Sequence, residues 1–235
     1  MTPNPTKKNG TFNLDLNKIL TIYGRNAVLE ALQDQSLTIH ALHLAETNKS
    51  AKVLDSITKL ANQRNIPILL KDRLALSRIS KNKKQDQGVA LDIQLPHMQS
   101  LEDFSSTYKQ ESNQQYIALD GITNPQNLGM IIRSVAASGI GGLFIPKKGC
   151  AEIGPLTIKA SVGTVFSCPI IRCNTIDECL QALIGKADIC ALDLQGEESL
   201  STLSADKSRV FLLGNESEGV SESALKLANS RLRIP

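Results

Sequence analysis

The chain has 235 residues, 21% charged and 41% hydrophobic, a balance typical of soluble globular proteins that bury a core without staples. No run nears the length needed to cross a bilayer, and the polar start Met1–Asp15 lacks the apolar core of a signal peptide, so a cytoplasmic protein with no membrane partner is expected. The formal charge of +3 hides a division: residues 1–96 hold 14 Lys+Arg against 8 Asp+Glu, whereas residues 97–235 hold 12 against 15.

A front half of net +6 favours a polyanionic partner, although solvated lysine-rich faces such as Lys81–Lys84 are common. Aromatics at 3%, with no tryptophan, argue against base stacking as the main binding mode. The five cysteines (Cys150, Cys168, Cys173, Cys179 and Cys190) have neither an even count nor CxxC spacing and read as buried reduced thiols. His40 and His43 fall on opposite faces of a strand reading Ile39–Leu44, so no metal site is expected.

In chain order, residues 1–20 read as a disordered polar tail. Residues 21–96 read as a small α/β/α unit carrying the basic surplus: an amphipathic helix through Val28, Leu29 and Leu32, a strand Ile39–Leu44, a helix Ala51–Arg64 and strands at Ile66–Leu70 and Gly88–Ile93. Pro96 opens a polar linker, residues 97–113, with one amphipathic turn around Leu101 and Phe104. Residues 114–235 alternate strand and helix, beginning with Tyr116–Leu119, Leu128–Ser138 and Leu143–Pro146 and closing with Val210–Leu213, Ala224–Ala228 and Leu232–Ile234. Such alternation predicts an α/β fold with a mainly parallel sheet and helices on both faces. Gly139 stands where a helix C-terminal glycine belongs.

The usual nucleotide cradles, GxGxxG and GxxxxGK[ST], are absent, as are GxSxG and HExxH. What remains is a pair of polar turns, each following an apolar strand, the place where open α/β sheets put ligands. In the first, Asn124–Arg133, Asn127 is a candidate cap for a helix starting at Leu128, and Gly129 would let a ligand approach that helix's first amides. Arg133 lies among Ile131, Ile132, Val135 and Ala136, so it would need a partner: Glu216, Asp120 or a substrate phosphate. In the second, Phe211–Gly219, two glycines accompany Asn215, Glu216 and Glu218, and Ser221 would cap the next helix.

The stretch LDGITNPQNLGMIIRSVAASGI resembles the first signature, and FLLGNESEGVS the second, of the SpoU/TrmH family of RNA ribose 2′-O-methyltransferases. Ile234-Pro235 resembles the opening of the third, and Tyr23–Val28 with Gln87–Leu91 is similar to the small ribosomal-protein-like domain that many members carry. The resemblance covers roughly residues 20 to 235 and implies a knotted SPOUT-type methyltransferase domain, homodimeric, using S-adenosylmethionine to methylate ribosomal or transfer RNA. It further implies catalytic roles for Arg133, Asn127 and Glu216, and a cofactor pocket lined by Leu213, Gly214 and Ile234.

Family members continue past Ile-Pro with an SLNVS-like loop and a long helix, whereas this sequence reads to Pro235. An incomplete third signature is therefore expected, and with it an alternative reading as a non-catalytic RNA-binding protein. A generic nucleotide-binding α/β protein is a third reading, distinguished by binding that does not weaken with salt.

Overall fold

The computed structural model describes residues 18–109, 113–204 and 206–234. Residues 1–17 of the expected tail lie outside these. Ile19 and Leu20, also assigned to that tail, instead open a strand.

The first unit runs β1 (Ile19–Tyr23), α1 (Arg25–Gln33), β2 (Thr38–Ala45), α2 (Lys52–Gln63), β3 (Ile68–Lys71), α3 (Arg73–Ser80) and β4 (Val89–Gln94). Its sheet has the order β1-β4-β2-β3, with β4 antiparallel to β1 and β2, and β2 parallel to β3. Sequence periodicity missed β1 and α3 because each buries little: Ile22 alone in β1, Leu76 and Ser80 in α3. Helix α3 is started by Asp72, whose carboxylate accepts the Ala75 N–H at 2.8 Å. His43 is buried in β2, its Nε2 2.8 Å from Asp92 Oδ2, while Thr21 donates to the other carboxylate oxygen at 2.6 Å. Burial pushes the Asp92 carboxyl up, but these hydrogen bonds outweigh it and hold the group below its ordinary value. The histidine thus serves a sheet-internal pair, and among the described residues no cluster of three or more His, Cys, Asp or Glu could hold a metal.

The second unit is an eight-stranded sheet of order β10-β12-β9-β11-β6-β7-β8-β5, parallel at every pairing. Its elements are β5 (Met98–Ser100), α4 (Leu101–Thr107), β6 (Gln115–Leu119), α5 (Pro125–Ser138), β7 (Gly142–Pro146), α6 (Pro155–Ala160), β8 (Ile170–Cys173), α7 (Ile176–Leu183), β9 (Asp188–Leu192), β10 (Glu198–Ser199), β11 (Arg209–Leu213), α8 (Glu222–Leu227) and β12 (Ser230–Arg233). The stretch 97–113 expected as a linker is, in its described part, an edge strand and a capped helix of this sheet. Its apolar residues explain why, since Leu101 and Phe104 are buried and Phe104 meets Phe144 edge-on at 5.0 Å.

Strand alternation divides the core. Tyr116 and Ala118 of β6 face one apolar cluster with α4, α7 and α8, whereas Leu119 faces another with Leu128, Ile132 and Val135 of α5. That second cluster also contains Ile22, Leu42 and Leu91 of the first unit together with Leu95 and Met98, so the small sheet docks on the α5 side of the large one. Helices therefore cover both faces, as alternation predicts. Strand order reverses between β6 and β11: β7 and β8 lie on one side of β6, and β11, β9 and β12 on the other. Ligands of open α/β sheets bind at such a switch point, beyond the carboxyl ends of the strands.

Candidate active site

Both polar turns sit at this switch point. Leu119, the last residue of β6, is in register with Leu213, the last of β11, so the two loops leave adjacent strands side by side. The first loop then starts α5, though not as predicted. Asn124 caps the helix, its side chain accepting the Gln126 N–H at 2.8 Å, and Pro125 takes the first helical position, where its missing N–H costs nothing. Asn127 is thereby freed from capping, and its amide donates to Glu216 Oε1 of the second loop. This bond holds the Glu216 carboxyl below its usual value.

Two further bonds join the loops. Asn215 Nδ2 donates to the Gly121 carbonyl at 2.8 Å, and the Ser221 N–H donates to Asp120 Oδ2 at 2.7 Å. Ser221 occupies the N-cap position of α8, but its side chain makes no capping bond to the helix. The second loop closes on itself: the N–H of Asn215 donates to the Gly219 carbonyl at 2.8 Å, and the N–H of Gly219 returns to the Asn215 carbonyl at 2.9 Å. Gly214 makes the closure possible, since a Cβ there would stand 2.2 Å from the Gly219 carbonyl carbon and from Val220 N.

Gly129 has a different role from the one expected. It is buried, and a Cβ would meet Ala160 Cβ at 2.5 Å and the Thr157 carbonyl oxygen at 2.6 Å, so its bareness lets α5 pack against α6 and leaves no ligand approach there. Arg133 also departs from expectation. The buried face of α5 is Leu128, Gly129, Ile132 and Val135, and Arg133 projects from the exposed side with no hydrogen bond or ion pair to any described residue. The two carboxylates considered as its partners are engaged elsewhere, Glu216 with Asn127 and Asp120 with Ser221. Six residues of helix turn Asn127 and Arg133 about 120° apart and about 9 Å along the axis, so they do not share a face.

Leu213 and Gly214 are half-buried at the end of β11, and Ile234 follows β12, with β9 between them. At this carboxyl edge Leu194, just past β9, is 97% exposed and Ile234 66% exposed. Sequence reasoning missed Asp120 and Asn215 as joining residues, although a carboxylate directly after an apolar strand was a visible signal. It also missed Arg172, a lone charge in the apolar strand Ile170–Cys173.

The cations of the basic first unit are engaged differently. Arg73 is committed to structure, its guanidinium 2.6 Å from the fully buried Asp86 and 3.0 Å from the Lys83 carbonyl. Arg25, Lys81 and Lys84 instead line a cleft of about 880 Å³ between the two units, and Lys71 does not.

Comparison with known proteins agrees with this architecture. The profile of the SpoU rRNA Methylase family matches residues 114–235, and that of the RNA 2′-O ribose methyltransferase substrate binding domain matches residues 21–99. A protein of Mycolicibacterium smegmatis (strain ATCC 700084 / mc(2)155) named "uncharacterized tRNA/rRNA methyltransferase" is 30% identical over 91% of this chain and 68% of its own. An rRNA methyltransferase from Sinorhizobium meliloti superposes with a TM-score of 0.60 at 25% identity, covering 93% of this chain and 80% of that one, and its AdoMet-bound form superposes at 0.59, covering 93% and 78%. The methyltransferase AviRb from Streptomyces viridochromogenes, at 19% identity with a TM-score of 0.60 and coverage of 93% and 81%, shares the fold. With its eight-stranded parallel sheet, its paired loops at the switch point and both profiles matched, this chain belongs to the SpoU rRNA methylase family.

Proposed function

We propose that this protein, a cytoplasmic enzyme, transfers the methyl group of S-adenosylmethionine to a ribose 2′-hydroxyl in structured ribosomal or transfer RNA. The observation that carries the reading is the Asn127–Glu216 hydrogen bond, which fastens the two signature loops together across the switch point and leaves Arg133 without a partner among the described residues. A free arginine on the helix that starts from the site is available to an anionic substrate.

The residues at the carboxyl edge suit the cofactor. Leu194, just past β9, and Ile234, just past β12, are exposed apolar side chains at the same carboxyl edge as Leu213 and Gly214, and these four residues would hold the cofactor. When bound, S-adenosylmethionine supplies an activated methyl group. The task left to the protein is alignment: it would hold the ribose 2′-hydroxyl in line with that methyl group and ease passage of the hydroxyl proton to solvent water. Arg133 grips the phosphate beside the target ribose and brings positive charge to the oxygen as it loses its proton. Glu216 and Asn127 orient the ribose and keep the two loops in register.

Substituting Arg133→Ala tests this reading. Methyl incorporation into RNA is expected to fall by ~10²-fold or more, with S-adenosylmethionine affinity by calorimetry within about twofold of the parent. Unchanged turnover would reject the role of Arg133. A parent chain that binds RNA yet transfers no methyl group would be the non-catalytic binding protein instead. The homodimer implied by the family resemblance belongs to the same proposal, and light scattering at a single subunit mass would remove it.

A further inference from the structure

We infer that the cleft between the two units seats the RNA backbone, with Arg172 and Lys147 gripping a phosphate close to the target ribose. This rests on the proposed function and adds residues that the two signatures do not contain. Five cations line the cleft: Arg25, Lys81 and Lys84 from the first unit, Lys147 and Arg172 from the second. Glu152 is the single carboxylate in the lining. It meets Lys81 at 3.5 Å, but both side chains are more than 70% exposed, so the pair is worth little and gives way to a better anion.

Arg172 is the least satisfied of these groups. Its neighbours Ile171 and Cys173 point to the core beneath α7, so alternation along β8 turns Arg172 to the opposite face, toward the cleft and the first unit. Its Nη1 is buried with no hydrogen-bond partner among the described residues. Burial pushes the guanidinium pKa down, yet arginine does not give up its charge in proteins, and the Glu152 carboxylate in the same lining acts on it only through space, with no hydrogen bond between them. A phosphate in the cleft would meet the edge of the guanidinium that lines it with a charge-assisted hydrogen bond. Lys147, exposed at the end of β7, stands beside it on the same wall.

The opposite wall is preset. The loop carrying Lys81 and Lys84 is held from below by Asp86, which receives Arg73 at 2.6 Å, Ser80 Oγ at 3.0 Å and the Gly88 N–H at 2.9 Å. The cleft also reaches Pro125, the first residue of α5 and two positions before Asn127. A strand of RNA lying in the cleft would therefore run directly to the signature loops. Backbone contacts of this kind fix register without reading sequence, as a platform placed ahead of a chemical site requires.

The test measures binding of bulk transfer and ribosomal RNA without cofactor, across a salt series, alongside thermal stability. Arg172→Met is expected to weaken RNA binding roughly tenfold and to reduce the slope of log K against log salt by about 0.7–0.9. The same variant should melt at or above the parent temperature, because an unpaired buried charge is removed. Lys147→Gln, at an exposed position that folding does not need, should lower the salt slope likewise, and Arg172→Lys should restore most of it. Parent-like affinity and slope in both Arg172→Met and Lys147→Gln would overturn the assignment, as would inorganic phosphate saturating the cleft at micromolar concentration without displacing RNA. Methyl transfer by the parent is scored separately: transfer with unchanged slopes removes the cleft assignment alone, and lowered slopes without transfer remove the catalytic reading alone.

Discussion

Two buried aspartates hold the two functional loops, and they do it differently. Asp86 in the first unit is fully buried and receives a guanidinium, a hydroxyl and a backbone N–H, so its charge is matched inside the protein and loop 81–87 is pinned by three bonds. Among the described residues Asp120 in the second unit accepts a single hydrogen bond, from Ser221 a hundred and one residues away, and the loops it joins otherwise depend on side-chain amides, one of them on the exposed Glu216 carboxylate, and on close glycine packing. The basic loop is therefore built as a fixed platform. The signature loops are latched, with their remaining polar groups left for ligands.

The sharpest test of this contrast is Asp86→Ala, which strands Arg73 and should cost about 3–5 kcal/mol. Chemical denaturation with a Tm fall on the order of 10 °C would agree, and a change under 1 °C would break the comparison. Next comes Gly129→Ala. A methyl group driven against Ala160 and the Thr157 carbonyl should outweigh the gain in helix propensity and destabilise by about 1–2 kcal/mol. A variant melting above the parent would show that α5 and α6 separate easily.

Asp120→Ala removes one acceptor and leaves the Ser221 N–H unpaired, an expected loss of about 1–3 kcal/mol. If it equals the loss at Asp86, the distinction between platform and latch disappears. The smallest effect on stability belongs to Glu216→Gln, because that side chain is solvent-exposed. There the sign of the pH dependence is informative. A carboxyl held below its usual 4.5 keeps its charged hydrogen bond above that value and loses it only as pH falls through the lowered one. The Asn127 side-chain amide signals in NMR should stay constant from pH 7 to 4.5 and shift below, and Glu216→Gln should abolish the shift. A midpoint above 4.5 in the parent would contradict the contact.

Much of the large domain was legible in the chain itself. Alternating apolar strands and amphipathic helices require a layered parallel sheet, and Leu119 and Leu213 end apolar runs that stop at polar turns. The small unit was harder, because β1 and α3 bury a residue or two each and give periodicity too little to detect. Gly129 was misjudged since a glycine needed for close packing and one needed for a ligand look the same in sequence.

Local chemistry also misassigned the cap. Asn124 and Asn127 are equal candidates by residue type, and only the position of Pro125 at the start of α5 decides for Asn124. The sequence by itself determined the layered class of fold, the two signature turns and the surplus of positive charge in the front half. Tertiary structure alone decided that Asn127 pairs with Glu216, that Arg133 is exposed and that Arg172 faces a basic cleft, because each depends on which strands become neighbours, and strands that pair in this sheet come from opposite ends of the domain.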